Sequence, residues 1–357
     1  MSVISPVGSP HTHAAVSVTR TMGLVMLTLL PATAYGLWLF GWPAINTLML
    51  SILGAVLGEV LCLWLAGRSP GFFLADGSAL LSGWLLALTL PPWAPWWLAL
   101  GGGLTAIVLG KQIYGGLGQN LFNPAMVGRV ALLISFPVQM TQFVAPRPLF
   151  SADAPGLLDA LAITLHGVPV NDGVTGATPL NYLKTELSRG LAIPDIPGHG
   201  LEDLFLGNAA GSLGETSAVL LLLGGLCLVG LRVIRWSVPL AMLGSLALLA
   251  ASMHGLDPDR YPGVSYHLFS GAAMLGAFYI ATDPVTSPVS TRGQLLFGVG
   301  CGVLTYAIRT WGNYPEGLGF AILLMNAATP LLDHYLRPRV YGRDGRGSPL
   351  RYRRPGP

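Results

Sequence analysis

Residues 43–66, P-A-I-N-T-L-M-L-S-I-L-G-A-V-L-G-E-V-L-C-L-W-L-A, are an uninterrupted apolar run whose single charge is Glu59. At about 1.5 Å of rise per residue, a helix of this length crosses the ~30 Å hydrocarbon core of a bilayer. The fold class is decided here: this stretch reads as a transmembrane helix. A carboxylate at mid-span costs about 2.5–3.5 kcal/mol on insertion scales, so Glu59 must face a partner or a wet cavity. A structural ion pair and a place on an ion or proton pathway both meet that requirement.

Nine more apolar segments flank it, at about 21–40, 77–90, 96–113, 124–137, 215–231, 236–254, 264–281, 293–310 and 317–336. The expected fold is therefore an all-α polytopic membrane protein of about ten transmembrane helices. Charged residues make up 10% of the 357 and mean hydropathy is +0.61, where a soluble domain carries about 25% charge. Segments 77–90 and 124–137 are short for a bilayer and abut Pro91-Pro92 and Asn123-Pro124. They read as broken or partly inserted helices shielded by neighbours.

The chain divides into an N-terminal tail (1–20), a five-helix half (21–137), a polar interval (138–214), a second five-helix half (215–336) and an Arg-rich tail (337–357). Residues 1–19 show no cleavable signal pattern ahead of Arg20. With ten spans both termini share a side. Placing them in the cytoplasm puts 14 of the 19 basic residues inside, among them Arg20, Arg68, Lys111 and Arg129. Arg147, Lys184, Arg189, Arg260 and Arg309 stay outside, and so does the interval 138–214. No basic block interleaves with aromatics, which argues against nucleic acid as a partner. Cys62, Cys227 and Cys301 lie in apolar runs, and no metal-ligand spacing exists.

Two halves of five spans would have opposite orientations, an inverted repeat. Leu88-Thr89-Leu90-Pro91 with Pro95 echoes Ala281-Thr282-Asp283-Pro284 with Pro288, and Asn123 has a counterpart in Asn326. Chance matching in Gly/Pro-rich sequence is the other reading. Inverted repeats with broken helices also build midplane sites in transporters, so a solute channel or carrier without redox role is a rival function.

The polar interval carries a helical pattern at 157–165 (Leu157, Leu158, Leu161, Leu165) and then N-D-G-V-T-G-A-T-P-L at 171–180. It reads as a cap folded onto the membrane part or a partner subunit. Thr178 is a good N-cap and Pro179 fits the first helical position. Leu180, Tyr182, Leu183, Leu187 and the closing Gly190 complete a short amphipathic helix. Gly173, Gly176 and Ala177 leave the backbone bare, and a helix N-terminus favours an anion. Hence the same turn can cap a helix and present a hydroxyl beside a phosphate.

Asp172-Gly173-Val174-Thr175-Gly176-Ala177-Thr178 resembles the flavinylation motif D-x-x-[ST]-G-A-T of ion-pumping redox complexes. It is similar to that of the D subunit of Rnf-type (Rsx) complexes and of the related B subunit of the sodium-pumping NADH:quinone reductase. The resemblance extends through Gly115–Gly128, Leu132–Pro137, Gly214–Ser217 and Thr282–Pro288, and the modest N-terminal extension favours the Rnf-type family member. It implies FMN joined to Thr178 by a phosphoester, attached by a flavin transferase, with Asp172, Gly173, Thr175, Gly176 and Ala177 forming the motif around it. It further implies a noncovalent riboflavin in the membrane part, with the A, B, C, E and G subunits of the Rnf complex as partners. The implied location is a bacterial inner membrane, with both termini cytoplasmic and the FMN loop periplasmic. No catalytic triad or substrate pocket is expected in this chain.

Other candidates come from ionisable groups at membrane depth. Glu215 opens the sixth span and Asp283 precedes Pro284; each is an ion-pathway candidate beside Glu59, and each also suits a helix end. Asn120 and Asn123 suit helix caps or the edge of a flavin ring. Trp84, Trp93, Trp96 and Trp97 read as interface anchors. His254, His267 and His334 show no ligand spacing.

Overall fold

Each of the ten apolar segments forms helix, the eighth of them broken in two. The computed structural model describes residues 17–167, 175–193, 200–314 and 316–337, with Gly342 and Ser348. In chain order the helices are α1 (Val18–Phe40), α2 (Trp42–Leu65), α3 (Pro70–Leu74), α4 (Ser78–Thr89), α5 (Trp96–Gly110), α6 (Pro124–Ser135), α7 (Pro137–Thr141) and α8 (Leu157–His166). After the outer interval come α9 (Pro179–Ser188), α10 (Leu201–Leu206), α11 (Ala218–Gly230), α12 (Ser237–Leu256), α13 (Val264–Phe269), α14 (Ala273–Leu275), α15 (Thr291–Trp311) and α16 (Leu318–Tyr335). A π-helical turn, Gly276–Ile280, extends α14. By length and composition α1, α2 and α12 can each cross a membrane.

The short elements stop where the chain chemistry stops them. Helix α4 ends at Leu90, extended at ψ 158° ahead of Pro91-Pro92, because a residue before proline avoids the α region. Asn123 caps α6, its side chain accepting from Met126 N at 3.3 Å, and Pro124 takes the first helical position. The eighth apolar segment, 264–281, is broken between α13 and α14 at Gly271, whose φ of +66° suits glycine. All three breaks lie deep in the protein, where neighbouring helices can satisfy the freed backbone groups.

Small residues set the closest packing. A Cβ on Gly54 of α2 would strike the Leu100 carbonyl of α5, and one on Gly103 of α5 would strike Ser51 of α2. In the second half, Gly298 and Gly302 of α15 make the same kind of approach to Ala241, Met242 and Ser245 of α12. Backbones that close gain dispersion and interhelical hydrogen bonds, the main source of helix association in lipid.

One expectation is corrected. Trp93 is 3% exposed and donates its indole N–H to Phe40 O at 3.0 Å, and Trp84 donates to Thr33 Oγ1 at 2.9 Å. These two indoles tie α1 to the α4 region instead of anchoring at the lipid interface, because a buried indole N–H needs an acceptor. Helix α8 buries Ala160 and Thr164, the latter accepting from Asn46 of α2 at 3.0 Å, while Leu157, Leu158, Leu161 and Leu165 are exposed. Small and hydrogen-bonding residues dock it on α2; its leucine face points away from this chain.

Candidate cofactor and ion-coupling site

The turn carrying the candidate threonine is held at both ends. A two-residue strand β2 (Thr175–Gly176) pairs antiparallel with β1 (Phe143–Val144), Phe143 opposite Gly176 and Val144 opposite Thr175. Two residues on, Thr178 caps α9: its Oγ1 accepts from Asn181 N at 3.2 Å. Helix α9 then docks through Leu180 and Leu183, and Tyr266 donates to the Pro179 carbonyl at 2.6 Å. Lys184 donates to the carbonyls of Arg309 and Gly312, and its burial lowers its pKa below the ordinary lysine value. Asp172 and Gly173 lie outside the described residues.

Thr178 is 5% exposed and faces inward. It lines a small cavity with Arg129, Met140, Phe143, Glu215 and Glu316. One wall of that cavity is an ionic cluster. Glu316, just ahead of α16, accepts from Arg129 Nη2 at 2.9 Å and Arg309 Nη2 at 3.5 Å, and from the Ala272 N–H. Arg129 also donates to Thr89 O at the end of α4, and Arg309 to His267 O and Ser270 O beside the α13–α14 break. Glu215 accepts from Ser212 Oγ at 2.8 Å. Two guanidinium groups sharing the Glu316 carboxylate thus tie both broken segments together, and Arg129, Glu316 and Glu215 of this cluster line the cavity beside the threonine.

This cluster corrects the assignment of basic residues to sides. Arg129 and Arg309 share one carboxylate, so they lie at one level and not on opposite faces of a bilayer. Helix α6 starts at depth, where Asn123 N donates to Asn326 Oδ1 at 3.2 Å, and rises toward α9. Moving Arg129 to the side of Arg309 leaves 13 basic residues against 6, still an asymmetric distribution.

A flavin phosphate suits the threonine. The cap bond from Asn181 uses an acceptor lone pair of Oγ1, so replacing the hydroxyl hydrogen by phosphorus leaves the helix start intact. Gly176 and exposed Ala177 add no bulk on the approach; the N-terminus of α9 and Arg129 offer a phosphate positive potential, while Glu215 and Glu316 in the same lining oppose it.

Glu59 and Asp283 sit elsewhere. Lys111 Nζ reaches both oxygens of Glu59, at 2.6 and 2.7 Å, and Ser78 Oγ at 2.7 Å; Gln112 Nε2 adds 3.2 Å to Glu59 Oε1. Glu59 and Lys111 are each 1% exposed. Asp283 accepts from Val285 N and Thr286 Oγ1, both at 3.2 Å, closing its own turn. Lys111, Ser78, Asn120, Asn123 and Asp283 share an internal cavity whose apolar wall includes Leu81, Leu85 and Phe278. Such a wall with a few convergent amides and charges suits a flat heteroaromatic ring edged by N–H and C=O groups.

Thr178 and Glu215 thus come together, while Glu59 and Asp283 flank a second centre. Arg129, Glu316 and Lys111 as partners were missed. The signal was available: Arg129, Lys111 and Arg309 lie within apolar segments, and a cation at that depth implies a carboxylate to match.

The NQR2, RnfD, RnfE family model matches residues 6–342. Among curated proteins, the D subunit of the ion-translocating oxidoreductase complex of Stutzerimonas stutzeri is 57% identical over 336 residues, covering 94% of this chain and 95% of that protein. Its namesake from Halorhodospira halophila is 52% identical, covering 98% and 99%. The one from Rhodobacter capsulatus is 48% identical, covering 88% and 87%.

Proposed function

This chain belongs to the NQR2, RnfD, RnfE family, and from that premise we propose that it is the membrane-embedded D subunit of an Rnf-type ion-translocating electron-transfer complex, carrying FMN as a phosphoester on Thr178. The observation that carries the reading is the Thr178 hydroxyl itself. It caps α9 through one acceptor bond, inside D-G-V-T-G-A-T, above a buried charged cluster. A flavin transferase would install the group. The flavin supplies the one- and two-electron chemistry when bound; the residues around it supply placement and electrostatics. The cap bond fixes the attachment oxygen, Arg129 offsets nearby negative charge, and the tether prevents loss of a cofactor held outside the bilayer.

A noncovalent riboflavin in the internal cavity completes the reading, with Asn120, Asn123 and Lys111 as polar neighbours. Electrons enter and leave through flavin or iron–sulfur centres of the A, B, C, E and G subunits. The proposed topology has ten spans, five in each half and related as an inverted repeat. The matched glycine packing of α2 with α5 and α12 with α15, and the Asn123–Asn326 bond, support it. Both termini lie in the cytoplasm and α9 on the periplasmic side of a bacterial inner membrane. A carrier without redox role offers no account of the motif.

Co-expression with the flavin transferase followed by in-gel fluorescence tests this. Denatured wild-type protein is expected to fluoresce as a covalent flavoprotein and Thr178→Val to lose the signal entirely. Undiminished fluorescence in that variant contradicts the assignment.

A further inference from the structure

Lys111 stands between two spaces that do not share their other polar linings. Its side chain lines the internal cavity with Ser78, Asn123 and Asp283. The carboxylate it holds, Glu59, lines a different groove with Arg68, Asp76 and Gln112, near the start of α1. The Glu59–Lys111 pair therefore lies between the two spaces, with Leu117 lining both. All three ammonium donors are used, two on Glu59 and one on Ser78, and Ser78 in turn donates to Asp76 Oδ1 at 2.5 Å. Lys111 also ends α5: its φ of −128° and ψ of −56° break the helix into the turn Gln112–Tyr114. A lysine at a helix end carries its charge on a flexible four-carbon stem with three rotatable donors.

We propose that Lys111 is a movable counter-charge shared between Glu59 and the internal cavity, so that negative charge arriving in the cavity frees Glu59 to take one monovalent cation from the groove. This rests on the reading of that cavity as a flavin site. The balance is simple. On accepting one electron from a flavin or iron–sulfur centre of a partner subunit, a flavin held beside Asn120, Asn123 and Lys111 would bring one negative charge into the cavity. The ammonium turns to it, and the unpaired Glu59 carboxylate binds one proton or sodium ion, so the net charge of the region is unchanged. When the electron leaves, Lys111 returns and expels the cation. With sodium no covalent bond changes in this chain; with a proton one O–H bond forms on Glu59 from a groove proton and breaks when that proton leaves. Two positions for one cation, each favoured by a different charge state, are the bistable element that redox-driven ion movement needs. A carboxylate that kept its lysine in both states would be a strut and nothing more.

Dicyclohexylcarbodiimide, which modifies protonated buried carboxyl groups, reads the switch directly by mass spectrometry of the Glu59 peptide in the purified complex. The oxidised wild type is expected to label weakly and the dithionite-reduced complex at least tenfold more. Lys111→Met labels strongly in both states, Lys111→Arg keeps the redox dependence, and Glu59→Gln abolishes the signal. Sodium that suppresses labelling of the reduced complex at fixed pH identifies sodium as the cation; labelling that follows pH alone identifies the proton. Wild-type labelling that does not change on reduction overturns the proposal, whether or not Lys111→Met assembles. Noncovalent flavin is counted in the same samples. Its absence sinks the cavity reading and this inference together, whereas its presence with redox-insensitive labelling sinks the lysine alone.

Discussion

Thr178 caps α9 with its own hydroxyl, as Thr-Pro at a helix start predicts, while the charged groups around that hydroxyl come from far along the chain. The cap is local, three residues from oxygen to N–H, whereas Glu316 meets Arg129 across 187 residues and Lys111 meets Glu59 across 52. Charge in an apolar segment announces that a partner exists, but not which. The Glu316 contacts carry a clear consequence. Glu316→Ala leaves Arg129 and Arg309 buried without their carboxylate, and removing one member of such a group costs about 3–5 kcal/mol. The thermal midpoint of the detergent-solubilised protein should fall accordingly. Combining it with Arg129→Met should cost less than the two single changes together, since one of the two orphaned charges is then gone. Strict additivity would show that the cluster is not energetically coupled.

Among the elements, those whose ends are written in proline and asparagine were the readable ones. Helices α4 and α6 are as short as 77–90 and 124–137 predicted, and each stops for the chemistry that its flanks declare. Helix α8 was readable as a helix but not in its facing: the pattern at 157–165 gives a period without choosing the docked side, and α2 receives Ala160 and Thr164. In a membrane protein, apolar residues do not have to turn inward, so periodicity gives a helix its period without giving its inner face. Contact glycines resolve the facing that hydropathy cannot. Gly54→Leu drives a side chain into the Leu100 carbonyl and should abolish assembly, while Gly101→Leu, with nothing within 4 Å of its Cβ position, should be tolerated. Size-exclusion profiles of the two variants check this; equal behaviour would refute the α2–α5 packing.

For the molecule as a whole, the basic-residue count gave an orientation while misplacing Arg129, because counting assumes that every segment crosses completely and α6 starts at depth. Topology is checked by cysteine labelling in a background lacking Cys62, Cys227 and Cys301. Ala177→Cys should react with an impermeant maleimide from the periplasmic side and Arg68→Cys only after the membrane is opened; the reverse pattern would invert the arrangement. The architecture then reads as two charge centres, one under Thr178 and one at Glu59–Lys111, each set against a break in a helix. What ties that architecture to electron transfer is the group on the threonine, and one mass decides it. The peptide containing Thr178, isolated from protein matured in its native host, is predicted to weigh its amino acids plus FMN less one water, with the fragment ions placing the addition on Thr178. A peptide of unmodified mass would contradict the account.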